Sequence, residues 1–402
     1  MKSLKTSGRL KTISAISNGT SGRSIIASST LMSAALLSSL TTTKGGPLTF
    51  TRASAVTVPD YAGVLQTLGN NVPAFDGMRL SYLLSDGSTR GAELSSGGLT
   101  VGTIYEITAQ SALDFTTLGS ASNAVGTIFK ATAAGTLSAT DKVKPCIPTW
   151  ISTALDGTPL TGRGILSEGA ATNIFANSAA PATQTITVTA AQYVLSFYGT
   201  GSIAYSGVAT GTLVGTGASN RVQVAFTPTA GSLILTLTGT ITNPQLELSP
   251  TGQATSPAIS SGATTTRAAT ILSEPIADLP ASGAYEIQLA LTPNGIDPLN
   301  RCYLLDSMLD TTNRLSLTYD QFTVIFTKII AGVASSCVVP FSATVNTTFT
   351  VKAKIFADNS MGLTINDTLS TINNNTTRPV LGTALFIGSD ALGVNQFNGS
   401  IQ

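Results

Sequence analysis

The chain has 402 residues, of which only 10% are charged, and its 21 Lys and Arg against 20 Asp and Glu leave a net charge of +1. This near neutrality provides no electrostatic basis for binding nucleic acid or an anionic membrane. The sequence contains no histidine, which excludes Ser-His and Cys-His nucleophile systems. The 38 glycines, together with many small and β-branched residues, favour strands and turns over helices.

Two further properties of the composition bear on assembly. The three cysteines, Cys146, Cys302 and Cys337, lack the spacing of metal ligands, and we interpret them as buried thiols. The low density of charge leaves little repulsion between copies of the chain. We therefore expect a homo-oligomer, and we expect neither nucleic acid as a partner nor insertion into a membrane.

Residues 1–45 are predicted to form an extended, partly helical arm. Basic residues precede the mildly apolar stretch SIIASSTLMSAALLSSL, which is diluted by serine and too short to span a bilayer. A secretory signal peptide is the alternative, but its apolar run would stand closer to the basic residues. We prefer a short helix around residues 28–40, whose Leu36, Leu37 and Leu40 would need a partner surface.

From residue 46 onward, short strands alternate with Gly, Asn-Gly, Asp-Gly and Pro turn signals. This pattern predicts an all-β, multidomain protein built from jelly-roll-like β-sandwiches. The predicted modules, in chain order, are residues 46–178 with a small β-insertion at about 98–144, a β-sandwich at 179–250, a linker at 251–266 and a last sandwich at 267–402.

Two short segments share the core Thr-x-Thr-Arg-Ala: LTFTRAS around Arg52 and ATTTRAA around Arg267. One interpretation is that these arginines bind a phosphate or a carboxylate. The other is that each is a structural anchor, bonded to backbone carbonyls or to an acid such as Glu168 or Glu247. We favour the structural anchors, because each segment precedes a new β-unit.

The segments LTFTRAS, GVLQTLGNNVPAFD and GRGILSEGAATNIFANS occur in an order that resembles a module of tailed-bacteriophage virion proteins. The match departs from the module at Ala74, where arginine is frequent. The insertion resembles a small domain of phage tail and appendage proteins. NPQLELSPTGQATSPAISSGATTTRAAT is similar to the linker that follows a carbohydrate-binding-like sandwich in such proteins, and GLTINDT with ALFIGSDALGVNQFNGSIQ resembles the closing strands of concanavalin A-like and laminin-G-like domains.

This resemblance implies a non-enzymatic, structural virion protein, most plainly a tail fibre or surface appendage that attaches to host-surface glycan. Residues 1–45 would then be a virion-anchoring arm. Other phage virion proteins and a host polysaccharide are the expected partners, and a trimer is the favoured oligomer. The protein would be made in the bacterial cytoplasm without a signal peptide and would end on the tail or head surface. A purely structural capsid fibre or decoration protein is the alternative.

The candidate glycan-binding residues are Trp150, Tyr198 and Tyr205, because a flat aromatic face suits the apolar side of a sugar ring. Aromatic residues at alternating strand positions are also common in cores, and this alternative stays open.

The densest acidic cluster includes Asp306 and Asp310. Laminin-G-like domains can bind calcium through such oxygens, so Ca²⁺ is the one cofactor to consider, and otherwise none is expected. A carboxylate pair would also allow glycoside hydrolysis. We regard a glycan-degrading enzyme as the weakest alternative, because the sequence lacks the repeat of a parallel β-helix.

Overall fold

The computed structural model describes residues 21–24, 32–33, 49–59, 65–76, 79–81, 92–101, 103–146, 149–151, 164–276 and 279–401. None of these residues lies in an α-helix, and strands dominate, which confirms the predicted all-β class. In the same ranges no helix is long and apolar enough to cross a membrane. The chain divides into two compact units: the first contains residues 27–40 and 50–270, and the second contains residues 1–26, 41–49 and 271–402.

The helix predicted around residues 28–40 is described only at Met32–Ser33, and these two residues form a strand. They pair antiparallel with Thr149 and Trp150, so backbone pairing rather than helical periodicity decides their conformation. Leu36, Leu37 and Leu40 lie outside the described residues.

The strands of the N-terminal part are short. In chain order they are β1 (Ser21–Ser24), β2 (Met32–Ser33), β3 (Thr49–Thr51), β4 (Val56–Pro59), β5 (Leu65–Leu68), β6 (Phe75–Asp76), β7 (Arg79–Ser81), β8 (Gly97–Gly98), β9 (Ile104–Ala109), β10 (Ile128–Lys130), β11 (Thr136–Leu137), β12 (Lys142–Pro145), β13 (Thr149–Ile151), β14 (Gly164–Ser167) and β15 (Ala171–Asn173).

The predicted insertion is a small β-module with its own core. Strands β10, β9 and β12 form one sheet and β11 pairs with β8, while a 3₁₀ helix at Phe115–Leu118 buries Phe115 against them. Asp141 is buried and accepts hydrogen bonds from the amides of Ser111, Ala112 and Leu113 at 2.6–3.1 Å. This carboxylate satisfies backbone donors that the turn would otherwise leave unpaired.

A β-sandwich follows within the first unit. Its strands are β16 (Gln184–Val188), β17 (Tyr193–Gly199), β18 (Ser202–Gly207), β19 (Gly211–Val214), β20 (Gly217–Phe226), β21 (Gly231–Thr238) and β22 (Ile241–Leu248). One sheet has the order β16-β21-β18-β19 and the other β20-β17-β22. Alternate residues such as Leu233 and Leu235 on β21 are fully buried, so the period of two places one face of each sheet in a shared core.

The remaining strands are β23 (Thr265–Arg267), β24 (Ile271–Pro275), β25 (Tyr285–Pro293), β26 (Cys302–Asp310), β27 (Asn313–Tyr319), β28 (Thr323–Ile330), β29 (Val333–Pro340), β30 (Phe349–Ile355), β31 (Met361–Ile365), β32 (Thr368–Asn373), β33 (Ala384–Ile387) and β34 (Gly399–Ile401). In the second unit, β32-β31-β30-β25-β34 and β29-β28-β27-β26-β33-β24 are neighbours in two sheets. These neighbours are antiparallel, whereas β1 pairs parallel with β25. Fully buried residues such as Leu289, Leu317 and Phe326 form the core of this unit.

Candidate functional site

The two segments with the Thr-x-Thr-Arg-Ala core come together in the first unit. Strand β23 pairs antiparallel with β15, so that Arg267 lies opposite Ala171. The amide of Ala268 donates a hydrogen bond to Ser54 Oγ at 2.8 Å. Arg52 and Arg267 are 2% and 1% exposed. Two guanidinium groups that are distant in sequence are therefore buried in one region, which with Glu168 we call the arginine cluster.

Arg52 is bonded mainly to backbone. Its Nε donates to the carbonyl of Ser54 at 3.1 Å, and its Nη2 donates to the carbonyl of Val72 at 2.7 Å. Its own amide donates to Asn71 Oδ1 at 2.9 Å, and its guanidinium lies 5.5 Å from the centre of the Phe50 ring. These contacts join the segment after β3 to the turn after β5.

Arg267 has both backbone and carboxylate partners. Its Nη2 donates to the carbonyl of Gly169 at 2.6 Å and its Nη1 to that of Ala268 at 3.1 Å. Nη1 also lies 3.6 Å from Glu168 Oε2. Its Nε is buried without a hydrogen-bond partner. The bonding of both arginines to carbonyls of distant segments is that of structural anchors, with one donor left over at Arg267.

The arginine cluster carries more positive than negative charge, because two guanidinium groups share one carboxylate. Burial, reinforced by the charge of Arg267 and opposed by that of Glu168, lowers the pKa of Arg52 to about 10. Burial and the positive charge of Arg267 each disfavour the charged form of Arg52, whereas the negative charge of Glu168 favours it. Among the residues that the structure describes, these three side chains therefore carry a net positive charge.

A groove with a volume of about 200 Å³ adjoins the arginine cluster. Its polar lining consists of Arg267 and the hydroxyl residues Ser54, Thr57, Thr67, Thr265 and Thr266, and its apolar lining includes Pro257 and Ile259. Hydroxyl and guanidinium groups bind sugar hydroxyls and carboxylates. No acid is among the described residues that line the groove, so a carboxylate pair for glycoside hydrolysis is not formed there.

One wall of the groove belongs to the segment that the sequence marks as a linker. Residues 249–260, which we call the strap, are bonded to buried acids and amides of the sandwich. Glu247 accepts hydrogen bonds from the amide and the hydroxyl of Thr255, each at 2.7 Å. The amide of Ser256 donates to Glu168 Oε1 at 2.7 Å. Backbone polar groups of the strap are thereby satisfied by side chains, which fixes the groove wall.

Tyr198 and Tyr205 do not present faces for a sugar ring. They are only 6% and 8% exposed, so the expectation that they form an exposed glycan platform is wrong. Tyr205 stacks on Phe226 at 4.7 Å between ring centres, and Arg221 covers Tyr198 at 5.9 Å. Tyr205 points into the sandwich core, because burial of an aromatic ring there gains free energy. Tyr198 follows the core residue Phe197 on β17 and therefore lies on the other face of that strand, under Arg221. Trp150 lies on β13 opposite Leu80, and its side chain is outside the described set.

Asp306 and Asp310 are not brought together as calcium ligands. Asp306 is fully buried, and its Oδ1 accepts a hydrogen bond from Arg314 Nε at 2.6 Å. Asp310 is bonded to Thr312 and Asn313 of its own turn. Burial raises the pKa of Asp306, whereas the turn hydrogen bonds lower that of Asp310. Among the described ranges no group of three or more His, Cys, Asp or Glu residues is placed to hold a metal ion.

Sequence reasoning missed a buried lysine in the second unit. Lys328 is fully buried, and its ammonium donates to the carbonyls of Asn359, Asn375 and Thr377 at 2.6–2.8 Å. The signal was available, because Lys328 shares the inward parity of Val324 and Phe326 on β28. A charged residue at an inward position of a strand indicates a buried bonding role.

No family model matches the sequence, and no curated protein matches it. Among solved structures, the receptor-binding domain of botulinum neurotoxin mosaic serotype C/D is similar at a TM-score of 0.27 and 13% identity, covering 30% of this chain and 32% of that chain. The receptor-binding domain of botulinum neurotoxin D gives 0.25 and 13%, covering 29% and 33%. That of type G gives 0.25 and 12%, covering 30% and 31%. The chain thus spans about a third of each of these neurotoxin chains.

Proposed function

We propose that this chain is a non-enzymatic structural protein of a tailed-bacteriophage virion, a tail fibre or surface appendage that attaches to glycan on the host surface. The observation that carries the proposal is the position of the phage-like motifs. The segments around Arg52, Glu168 and Arg267, on which the sequence resemblance rests, lie in one buried cluster beside a hydroxyl-lined groove. A motif set that builds one site is more informative than scattered matches.

The groove has the size and chemistry for a single sugar residue. Its volume of about 200 Å³ is below the ~300 Å³ at which sites for drug-sized ligands begin. The hydroxyls of Thr67, Thr265 and Thr266 would bond sugar hydroxyls, and the excess positive charge of the arginine cluster would favour an acidic sugar. The absence of acids among its described lining residues supports binding over cleavage.

Adsorption competition tests this proposal. Free protein is expected to block adsorption of the phage, and a Thr67→Met, Thr265→Met double variant, which fills the groove without adding charge, is expected to lose this effect by at least tenfold. Thr227→Met, at an exposed position on another part of the sandwich, is the control.

The same preparation separates the alternatives. Failure of the wild type to bind host polysaccharide or to block adsorption would favour the capsid decoration protein, for which deletion weakens heads without abolishing adsorption. Release of reducing ends from polysaccharide, lost on replacement of Asp306 or Asp310, would instead favour the glycan-degrading enzyme.

A further inference from the structure

The sandwich of the first unit is almost free of charge. Between Glu168 and Arg267 the sequence contains only two charged residues, Arg221 and Glu247. Both belong to the sheet β20-β17-β22 and both are engaged there. Arg221 bonds to Ser196 Oγ at 2.9 Å and to the carbonyl of Thr255 at 2.5 Å, and Glu247 is fully buried. The opposite sheet therefore carries no charged side chain.

The outer face of that opposite sheet is exposed, and its side chains are small or uncharged. On β21, the buried Leu233 and Leu235 alternate with exposed Ser232, Ile234 and Thr236. The register places Thr185 of β16 and Ser206 of β18 on either side of Ile234, and continues from Thr236 through Ala204 to Thr212 of β19. We call this four-stranded surface the threonine face.

An uncharged face of this extent is unusual for a surface that meets only water. A surface designed for solubility holds about 25–35% charged residues, which keep copies of a protein apart. A partner that placed a charge on the threonine face would bury it without a counter-charge, at a cost of several kcal/mol per ion. The favoured partner is therefore a surface that is itself uncharged and rich in hydroxyl and methyl groups, and this chain supplies one.

We propose that the threonine face is a self-association surface that packs on a second copy of this chain. Ile234, which is 40% exposed, stands at its centre, and Val214, which is 60% exposed, lies on the edge strand β19 opposite Ser202. These two side chains are the apolar contacts, and the surrounding threonine and serine hydroxyls pair across the interface. This inference does not depend on phage origin or on glycan binding.

The size of the face sets what the interface must include. Four strands spaced by ~4.8 Å and five residues of ~3.3 Å each give about 300 Å². A stable interface needs about 800 Å² per partner. The threonine face is thus the centre of the contact, and exposed uncharged turn residues beside it, such as Thr200, Thr216 and Thr240, complete the rim. A polysaccharide is a poorer fit, because this face has no aromatic ring for stacking.

Sedimentation velocity of the full chain over a range of protein concentrations tests the inference. The wild type is expected to associate, and an Ile234→Lys, Thr236→Lys double variant to weaken the association constant by at least 100-fold. Thr227→Lys, which adds one charge outside the face, should associate like the wild type. Circular dichroism melts establish that each variant is folded. If the double variant does not fold, Thr185→Lys with Thr212→Lys places the two charges on the edge strands instead.

Two results would overturn the inference. The first is a wild type that stays monomeric at ~100 μM. If the host-polysaccharide binding of that monomer is lost in the double variant, the face is assigned to glycan. The second is a folded double variant that associates as strongly as the wild type, which would assign self-association to another surface.

Discussion

The carboxylate of Glu168 and the guanidinium of Arg267 form a buried ion pair, with Oε2 3.6 Å from Nη1 and side chains 7% and 1% exposed. The same carboxylate accepts a hydrogen bond from the amide of Ser256 and offsets part of the positive charge of Arg52. One side chain thus connects the strap with both arginine segments, and its removal takes away the carboxylate that the described part of the chain places beside these two buried cations.

Glu168→Gln is expected to lower the free energy of unfolding by about 3–5 kcal/mol, the usual cost of removing one partner of a buried pair. Urea unfolding followed by circular dichroism measures the change. Glu93→Gln is the control, because the Glu93–Lys142 pair at 3.1 Å is 37% and 40% exposed and solvent screens it, so that its loss should change stability much less. Equal effects of the two substitutions would contradict the role assigned to Glu168.

Lys328→Met is expected to destabilise the protein by about 3 kcal/mol, because it removes the ammonium that donates to three backbone carbonyls. Amide hydrogen exchange should rise first around Asn375 and Thr377. Lys352→Met provides the comparison, since Lys352 pairs with the mostly exposed Asp367 and its loss should cost under ~1 kcal/mol. A stable Lys328→Met variant with unchanged exchange would refute the prediction.

Tyr205→Ala should cost about 3–5 kcal/mol, because it removes a buried ring that stacks on Phe226. Tyr205→Phe keeps the ring and should stay close to the wild type in thermal melts. Both folded proteins should bind glycan alike, since Tyr205 is core. Loss of glycan binding by Tyr205→Phe with an unchanged melting temperature would restore Tyr205 as a ligand-binding residue.

Cys302 should make stability fall at alkaline pH. Burial raises the pKa of its thiol to about 12, whereas an unfolded thiol titrates near 8.5. Between these values the unfolded state loses the proton that the folded state keeps, so the contribution is complete below pH ~8.5 and declines as pH rises, by up to ~1.4 kcal/mol per unit. The advantage of wild type over Cys302→Ala in urea unfolding should shrink from pH 8.5 to 10.5. A stability difference between the two proteins that stays constant over this pH range would contradict the prediction.

The strand pattern was readable from sequence because its period of two is local. Alternation along β21 and β25, and the turn glycines between strands, follow from residues only a few positions apart. The inward position of Lys328 obeys the same rule, although its three carbonyl partners come from segments 31 to 49 positions away. Local periodicity indicates that a residue is buried, but it does not name the partner.

The tyrosine and aspartate candidates show where sequence reasoning failed. The sequence around an aromatic residue beside glycine turns is compatible with an exposed binding surface and with the core. The stacking of Phe226 on Tyr205 shows that Tyr205 belongs to the core. Asp306 and Asp310 are neighbours in sequence, yet Arg314 bonds one and a turn bonds the other. Neighbouring acids form a metal site only when tertiary structure aims their oxygens at one point.

By itself, the sequence determined the all-β class, the absence of histidine chemistry and the duplicated Thr-x-Thr-Arg-Ala core, because composition and short-range pattern are sufficient for these. Only the tertiary structure decided that Arg52 and Arg267 share Glu168 and adjoin a groove, and that the uncharged residues of four strands form one face. Both depend on which strands pair and in which register. That choice is made by burial of apolar side chains across long sequence separations, which no local pattern specifies.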